Sequence, residues 1–159
     1  MLKKIIVGFV IVASLGGCLK GENNFTCTYN PCSYKAPASE IQAVRDYLDA
    51  NNITNAQEHC SGLFYIIDSV GTGRTPTACN YVNATYTGRL TNGNTFDQGT
   101  HDFGLNQVVL GWTNGIPLIK EGGKIRLFIP PALGYGPNPN QSIPGNSILI
   151  FDVTLNGIY

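Results

Sequence analysis

The hydrophobic pattern changes period several times along this chain, and each change marks an element. Ile5 to Leu15 is an apolar run, whereas Leu19 to Ala36 is polar, carries Gly21, Pro31 and several Asn, and shows neither helical nor strand spacing. It reads as a tether. From Ser39 the period becomes helical. Ser39 with Gln42 forms a capping-box signature, and Ile41, Val44 and Leu48 follow until Asn51-Asn52 stops the run. One short amphipathic helix is predicted, packing against whatever follows.

Beyond it the period becomes two. Leu63 to Ile67 is a compact run of apolar, aromatic and β-branched residues ended by Gly71 and Gly73, which predicts a strand and a turn. Val82, Ala84 and Tyr86 then alternate with Tyr81, Asn83 and Thr85, so Tyr86 shares the interior face with Val82. Asn92-Gly93 is the dipeptide of a tight hairpin turn, placing Thr95-Phe96-Asp97 at the start of the returning strand.

Val108-Val109-Leu110 leads into Gly111-Trp112, after which Thr113 or Asn114 is placed to cap a short helix running through Leu118 and Ile119, ended by Gly122-Gly123. Pro117 suits only the first turn of such a helix. Ile125, Leu127 and Ile129 alternate with Lys124, Arg126 and Phe128, and Leu149, Phe151, Val153 and Leu155 make the apolar face of a last strand. Pro130 to Gly145, rich in Pro, Gly and Asn, is a long loop between them. Strands, one short helix, then strands again imply an α+β domain with a helix laid across a twisted antiparallel sheet.

Charge and cysteines alter the picture at the N-terminal end. Lys3-Lys4 before the apolar run and Gly16-Gly17-Cys18 after it have the layout of a secretory signal peptide, and the run is shorter than the about 20 residues that span a bilayer. The cysteine after Leu15-Gly16-Gly17 resembles a bacterial lipobox, which makes Cys18 the expected lipidated first residue of the mature chain. Cys27, Cys32, Cys60 and Cys79 remain, an even number in an exported protein, so two disulfides are expected. Three pairings are open, and nearness in sequence favours Cys27 with Cys32 and Cys60 with Cys79. A metal site is not expected, because no CxxC is present and the only histidines are His59 and His101.

With 43% hydrophobic and 13% charged residues the chain can bury a core. Ten basic residues balance ten acidic ones with no basic run after Lys4, which excludes the footprint of a nucleic-acid binder. No nucleophile elbow, Ser-His-Asp spacing, phosphate-binding glycine loop or paired carboxylates occur, so hydrolytic and phosphoryl-transfer chemistry have no support.

What remains is a string of short motifs in one order: Tyr86-Thr87-Gly88, Phe96-Asp97, Gly111-Trp112, Ile129-Pro130-Pro131 through Gly134-Tyr135-Gly136, Ile143-Pro144 and Phe151-Asp152-Val153. In register across Val82 to Tyr159, they resemble the FKBP family of peptidyl-prolyl isomerases. The resemblance implies a curved antiparallel sheet wrapped around one short helix and an aromatic proline pocket. It implies Trp112 as the floor, with Tyr86, Phe96, Phe103 and Phe151 as walls and Val108 and Ile143 beside them. The Val109 N–H and the Tyr135 hydroxyl would bond substrate carbonyls, and Asp97, oriented by Tyr86, would lie beside the twisting amide.

The same resemblance implies no cofactor, proline-containing polypeptides as partners, and macrolides as inhibitors. Contact with the membrane is expected through the lipid alone. The expected organisation is a signal peptide over 1–17, a lipid-anchored linker over 18–36, a helical extension over 37–60 and an isomerase domain over 61–159. A proline-gripping module or holdase is the alternative function. His101, where other members carry an aromatic, and the unusual loop Gly136 to Ser142 are the departures.

Overall fold

Six strands and two helices form, all but the first, two-residue strand in the order the sequence predicts, in a computed structural model that describes residues 26–159. The signal-peptide and Cys18 expectations lie outside the described residues. The strands are β1 (Gln57–Glu58), β2 (Phe64–Ser69), β3 (Tyr81–Leu90), β4 (Thr95–Gly104), β5 (Lys124–Ile129) and β6 (Leu149–Ile158). They pair antiparallel throughout in the order β1-β2-β5-β6-β3-β4. β3 and β4 are the hairpin that Asn92-Gly93 announces: Gly93 turns with φ +86°, where a side chain would be strained, and its N–H donates to the Leu90 carbonyl.

One face of this sheet carries the apolar sets read from the alternation. Val82, Ala84, Ile125, Leu127, Ile129, Phe151, Val153 and Leu155 are all buried. Across this face lies α2 (Leu110–Gly115), continued by one 3-10 turn at Ile116–Leu118. The helix comes so close because two glycines face the sheet. A Cβ on Gly111 would stand 2.6 Å from Ile129 Cδ1, and one on Gly115 would stand 2.6 Å from Leu127 Cδ2.

The helix is shorter and starts earlier than its expected caps suggested. Val109 occupies the N-cap, and its carbonyl accepts from the Trp112 N–H. Thr113 and Asn114 lie inside α2, buried. Their side chains serve other ends: the Thr113 hydroxyl donates to the Leu105 carbonyl at 2.6 Å, and Asn114 Oδ1 accepts from the Tyr29 hydroxyl at 2.6 Å. A polar side chain in a helix looks like a cap until the structure supplies a distant partner.

The opposite face is covered at one end by α1 (Ala38–Ala50), which buries Ile41, Val44 and Leu48. Pro37, not Ser39, holds its N-cap, with no side-chain cap bond, and Gln42 instead donates to Asp46 one turn on. Phe128 alternates with Ile125, Leu127 and Ile129 yet is 1% exposed, because its ring lies under Tyr47 of α1 with centroids 6.3 Å apart. Where α1 stops, the same face is polar: Arg126 Nε donates to Asp152 Oδ1 at 2.5 Å, and Arg89 donates to the other oxygen. Burial would raise the Asp152 carboxyl, but the Arg126 and Arg89 bonds outweigh it and hold it below its ordinary value.

The disulfides join distant segments: Cys27 with Cys79 and Cys32 with Cys60, with Cα atoms 5.8 and 5.5 Å apart. The side-by-side pairing favoured by sequence nearness is therefore corrected to a nested one. The reason is the course of the strap Thr26 to Ala36, which runs back across the domain. It meets the turn before β3 at Cys79 and the turn before β2 at Cys60. It is also pinned by the Tyr29–Asn114 bond and by the Ala36 N–H on the Ser61 carbonyl at 2.9 Å.

The stretch after β5 holds a 3-10 turn at Pro131–Leu133 and a single bridge between Asn140 and Ile143. Among the described residues no helix is long and apolar enough to cross a membrane.

Candidate active site

The site begins with what alternation does to β3 and β6. Tyr86 and Phe151 point to the interior face at the end of the sheet where α2 starts, and α2 delivers Trp112 between them. Trp112 is 4% exposed and is met edge-on by three rings: Tyr86 at 5.2 Å, Phe103 at 5.3 Å and Phe151 at 5.3 Å, each within a few degrees of perpendicular. Edge-to-face contact sets the positive rim of one ring against the negative face of another, so the cluster is rigid as well as apolar. The indole N–H has no acceptor among the described residues.

Above this floor opens a cleft of about 470 Å³. Tyr86, Phe103, Val108, Val109, Trp112 and Phe151 give it apolar walls, and Asp97, Gln107 and Tyr135 bring polar groups to it. That size and lining are those of a small-ligand pocket. The glycine of Tyr86-Thr87-Gly88 belongs to the same construction: a Cβ on Gly88 would stand 2.7 Å from both Phe151 Cε1 and Phe96 Cζ. Its absence lets those rings meet edge-on at 5.4 Å.

The polar groups are ordered by one bond. The Tyr86 hydroxyl donates to Asp97 Oδ2 at 2.7 Å, turning the exposed carboxylate toward the cleft wall. Burial first, and then the bond to Asp97 and its negative charge, push the Tyr86 phenol well above its ordinary value; burial and the Asp97 charge raise Tyr135 as well. Both phenols therefore stay protonated as donors through the neutral and mildly alkaline range. The Val109 N–H precedes α2 and has no acceptor among the described residues, while the Val109 carbonyl is occupied within the helix.

Most residues named from the sequence converge here. Phe96 and Ile143 are not among the lining. Phe96, half-buried, backs Phe151, and Ile143, a residue of the β5–β6 loop, is buried in the core cluster. Gln107 lines the cleft and was not foreseen, because it sits in an irregular loop where no period assigns it a face. His101 is exposed on β4 with its ring 6.2 Å from Tyr86. Cys32, His59 and Cys60 bring potential ligand atoms within 4.8 Å of one another, but both sulfurs are bonded in the Cys32–Cys60 disulfide, which leaves no thiolate to bind a metal.

The described geometry has counterparts among known proteins. A probable FKBP-type peptidyl-prolyl cis-trans isomerase of Haemophilus influenzae is 48% identical over 99 residues, 58% of this chain and 41% of that protein. The FKBP-type peptidyl-prolyl cis-trans isomerase FkpA of Aeromonas hydrophila is 44% identical over 103 residues, 62% of this chain and 38% of that protein. The chain thus spans about two fifths of the length of these relatives.

Among solved structures, FkpA from Escherichia coli superposes with a TM-score of 0.69 at 35% identity, covering 76% of this chain and 60% of that one. A peptidyl-prolyl cis-trans isomerase from Pseudomonas syringae pv. tomato superposes with a TM-score of 0.67 at 29% identity, covering 78% and 97%. Residues 72–156, from the turn before β3 to near the end of β6, match the family described as FKBP-type peptidyl-prolyl cis-trans isomerase, and the chain belongs to that family.

Proposed function

We propose that this protein catalyses cis-trans isomerisation of X-Pro peptide bonds in exported polypeptides. The observation that carries the reading is Trp112, caged edge-on by Tyr86, Phe103 and Phe151 at the base of a cleft whose mouth holds the Tyr86–Asp97 pair. The reaction breaks no bond. Resonance opposes rotation with a barrier of about 18–20 kcal/mol, while the two X-Pro isomers differ by only about 0.5–1 kcal/mol. A catalyst must therefore bind the twisted amide better than either planar form.

The cleft offers the means. The prolyl ring rests on Trp112, and the aromatic walls keep water from the amide carbonyl, which disfavours the charge-separated form that holds the bond planar. The Val109 N–H and the Tyr135 hydroxyl hold flanking substrate carbonyls, fixing the chain on both sides of the rotating bond. Asp97, aimed by Tyr86, lies beside the carbonyl that turns. Family membership and the pocket support these roles, and the same membership supports macrolides as ligands of the cleft.

Two disulfides accord with life in an oxidising compartment, and the Leu15-Gly16-Gly17-Cys18 string supports a lipid anchor in a bacterial envelope. Acceleration of an X-Pro peptide's isomerisation is the direct test. We expect a loss of about tenfold with Asp97→Ala and a greater loss with Phe96→Ala, which also releases Phe151. A folded wild type that binds proline peptides without accelerating them overturns the catalytic reading and assigns a holdase.

A further inference from the structure

The N-terminal helix α1 lies outside the family-matched residues 72–156, yet it reaches the active-site loop through one carboxylate. Glu40 Oε2 accepts a hydrogen bond from the Ala132 N–H at 2.7 Å, across 92 residues of sequence and in a half-buried setting. The donor it meets is a particular one. The 3-10 turn Pro131–Leu133 starts with Pro130 at its N-cap and Pro131 as its first residue, neither of which has an N–H. Ala132 supplies the only free backbone donor of that first turn, and no acceptor within the loop takes it among the described residues.

The turn so capped leads directly to the cleft. The Gly134 and Gly136 N–H groups both donate to the Pro131 carbonyl at 2.9 Å, folding the chain around Tyr135, which lines the pocket. Leu133 anchors the other side of the turn and is fully buried. Glu40 is itself carried on a helix seated closely on the domain: Ile41 packs so near Gly62 that a Cβ there would stand 2.6 Å from Ile41 Cδ1.

We propose that Glu40 is a positioning residue for catalysis, fixing the loop that carries Tyr135 through its bond to the Ala132 N–H. The extension is thereby part of the active-site support, beyond its packing over Phe128. The inference rests on the isomerase reading for its kinetic consequence, but its structural consequence is independent of any substrate. A loop tied at its first turn presents the Tyr135 hydroxyl in one place, and misplacement of a substrate-holding group by an ångström lowers turnover or binding measurably.

The test compares Glu40→Ala and Glu40→Gln with the wild type in the whole chain. Amide hydrogen exchange is followed over residues 132–136, with kcat and KM for a proline peptide measured on the same samples. We expect Glu40→Ala to speed exchange in that segment about tenfold while amides of β3 and β6 keep their protection. We expect its kcat/KM to fall about three- to tenfold, chiefly through KM. Glu40→Gln, which keeps an acceptor oxygen, restores both.

A purely structural role is separated by a double-mutant cycle: Tyr135→Phe costs less in the Glu40→Ala background than in the wild type. Unchanged exchange over 132–136, or the same cost of Tyr135→Phe in both backgrounds, overturns the proposal. Should the wild type prove inactive, the isomerase reading fails by itself, and the exchange experiment with the cycle run on proline-peptide affinity still decides the role of Glu40.

Discussion

At the residue scale the site is held by contacts among its own side chains. Trp112 touches three rings and Tyr86 commits its hydroxyl to Asp97, so the polar groups at the cleft keep defined directions. Burial and the neighbouring carboxylate both favour the protonated phenol of Tyr86 and raise it above its ordinary value of 10.0. Because the folded protein holds that proton more tightly than the unfolded chain, the contribution to stability is complete below pH 10 and is lost as pH rises past it. We expect isomerase activity and unfolding free energy to stay level from pH 7 to about 10, with Tyr86→Phe removing part of the alkaline loss of stability. An ultraviolet tyrosine titration run beside denaturant unfolding checks this, and a wild-type alkaline limb unchanged by Tyr86→Phe would sink it.

At the element scale, α2 decides whether there is a floor at all. Gly111 and Gly115, one turn apart, present no side chain to β5, and Ile129 and Leu127 fill the space. Adding a methyl at Gly111 demands more room than a packed core yields, since the nearest atoms stand at 2.6 and 2.7 Å on a branched, fully buried isoleucine. Gly111→Ala is expected to destabilise by about 1–3 kcal/mol and to lower kcat/KM by lifting Trp112 from its cage. Pairing it with Ile129→Val should return part of the stability, as denaturant midpoints of the single and double variants will show. Gly-Trp in the sequence therefore encodes two things: the close approach of a helix and the ring it delivers.

At the scale of the whole molecule, the strap and α1 turn a sheet-and-helix domain into a braced one. The Cys27–Cys79 bridge spans 52 residues and Cys32–Cys60 spans 28, the second lying within the first. Loop-closure entropy assigns about 4 kcal/mol to the longer and about 3.5 kcal/mol to the shorter, and nesting makes their sum smaller than the two parts. We expect Cys27→Ser with Cys79→Ser to lower the unfolding free energy by about 3–4 kcal/mol and to release the Tyr29–Asn114 contact on α2. A separate measurement on Cys32→Ser with Cys60→Ser should show the smaller loss. Equal midpoints for both double variants and the wild type would rule the bracing out.

The sequence by itself determined what depends on short range: the strands, through alternation of Val82, Ala84 and Tyr86 or of Phe151, Val153 and Leu155; the hairpin, through Asn92-Gly93; and the aromatic membership of the cleft, through motifs kept in order. A period of two or 3.6 assigns each such residue a face before any partner is known. Tertiary structure alone decided the rest. It paired Cys27 with Cys79, gave Thr113 and Asn114 partners in place of caps, and set Phe96 behind Phe151. It also brought Glu40 to Ala132. Nearly all of these contacts join segments far apart in the chain, where spacing holds no information and only the packing of elements determines which donor meets which acceptor.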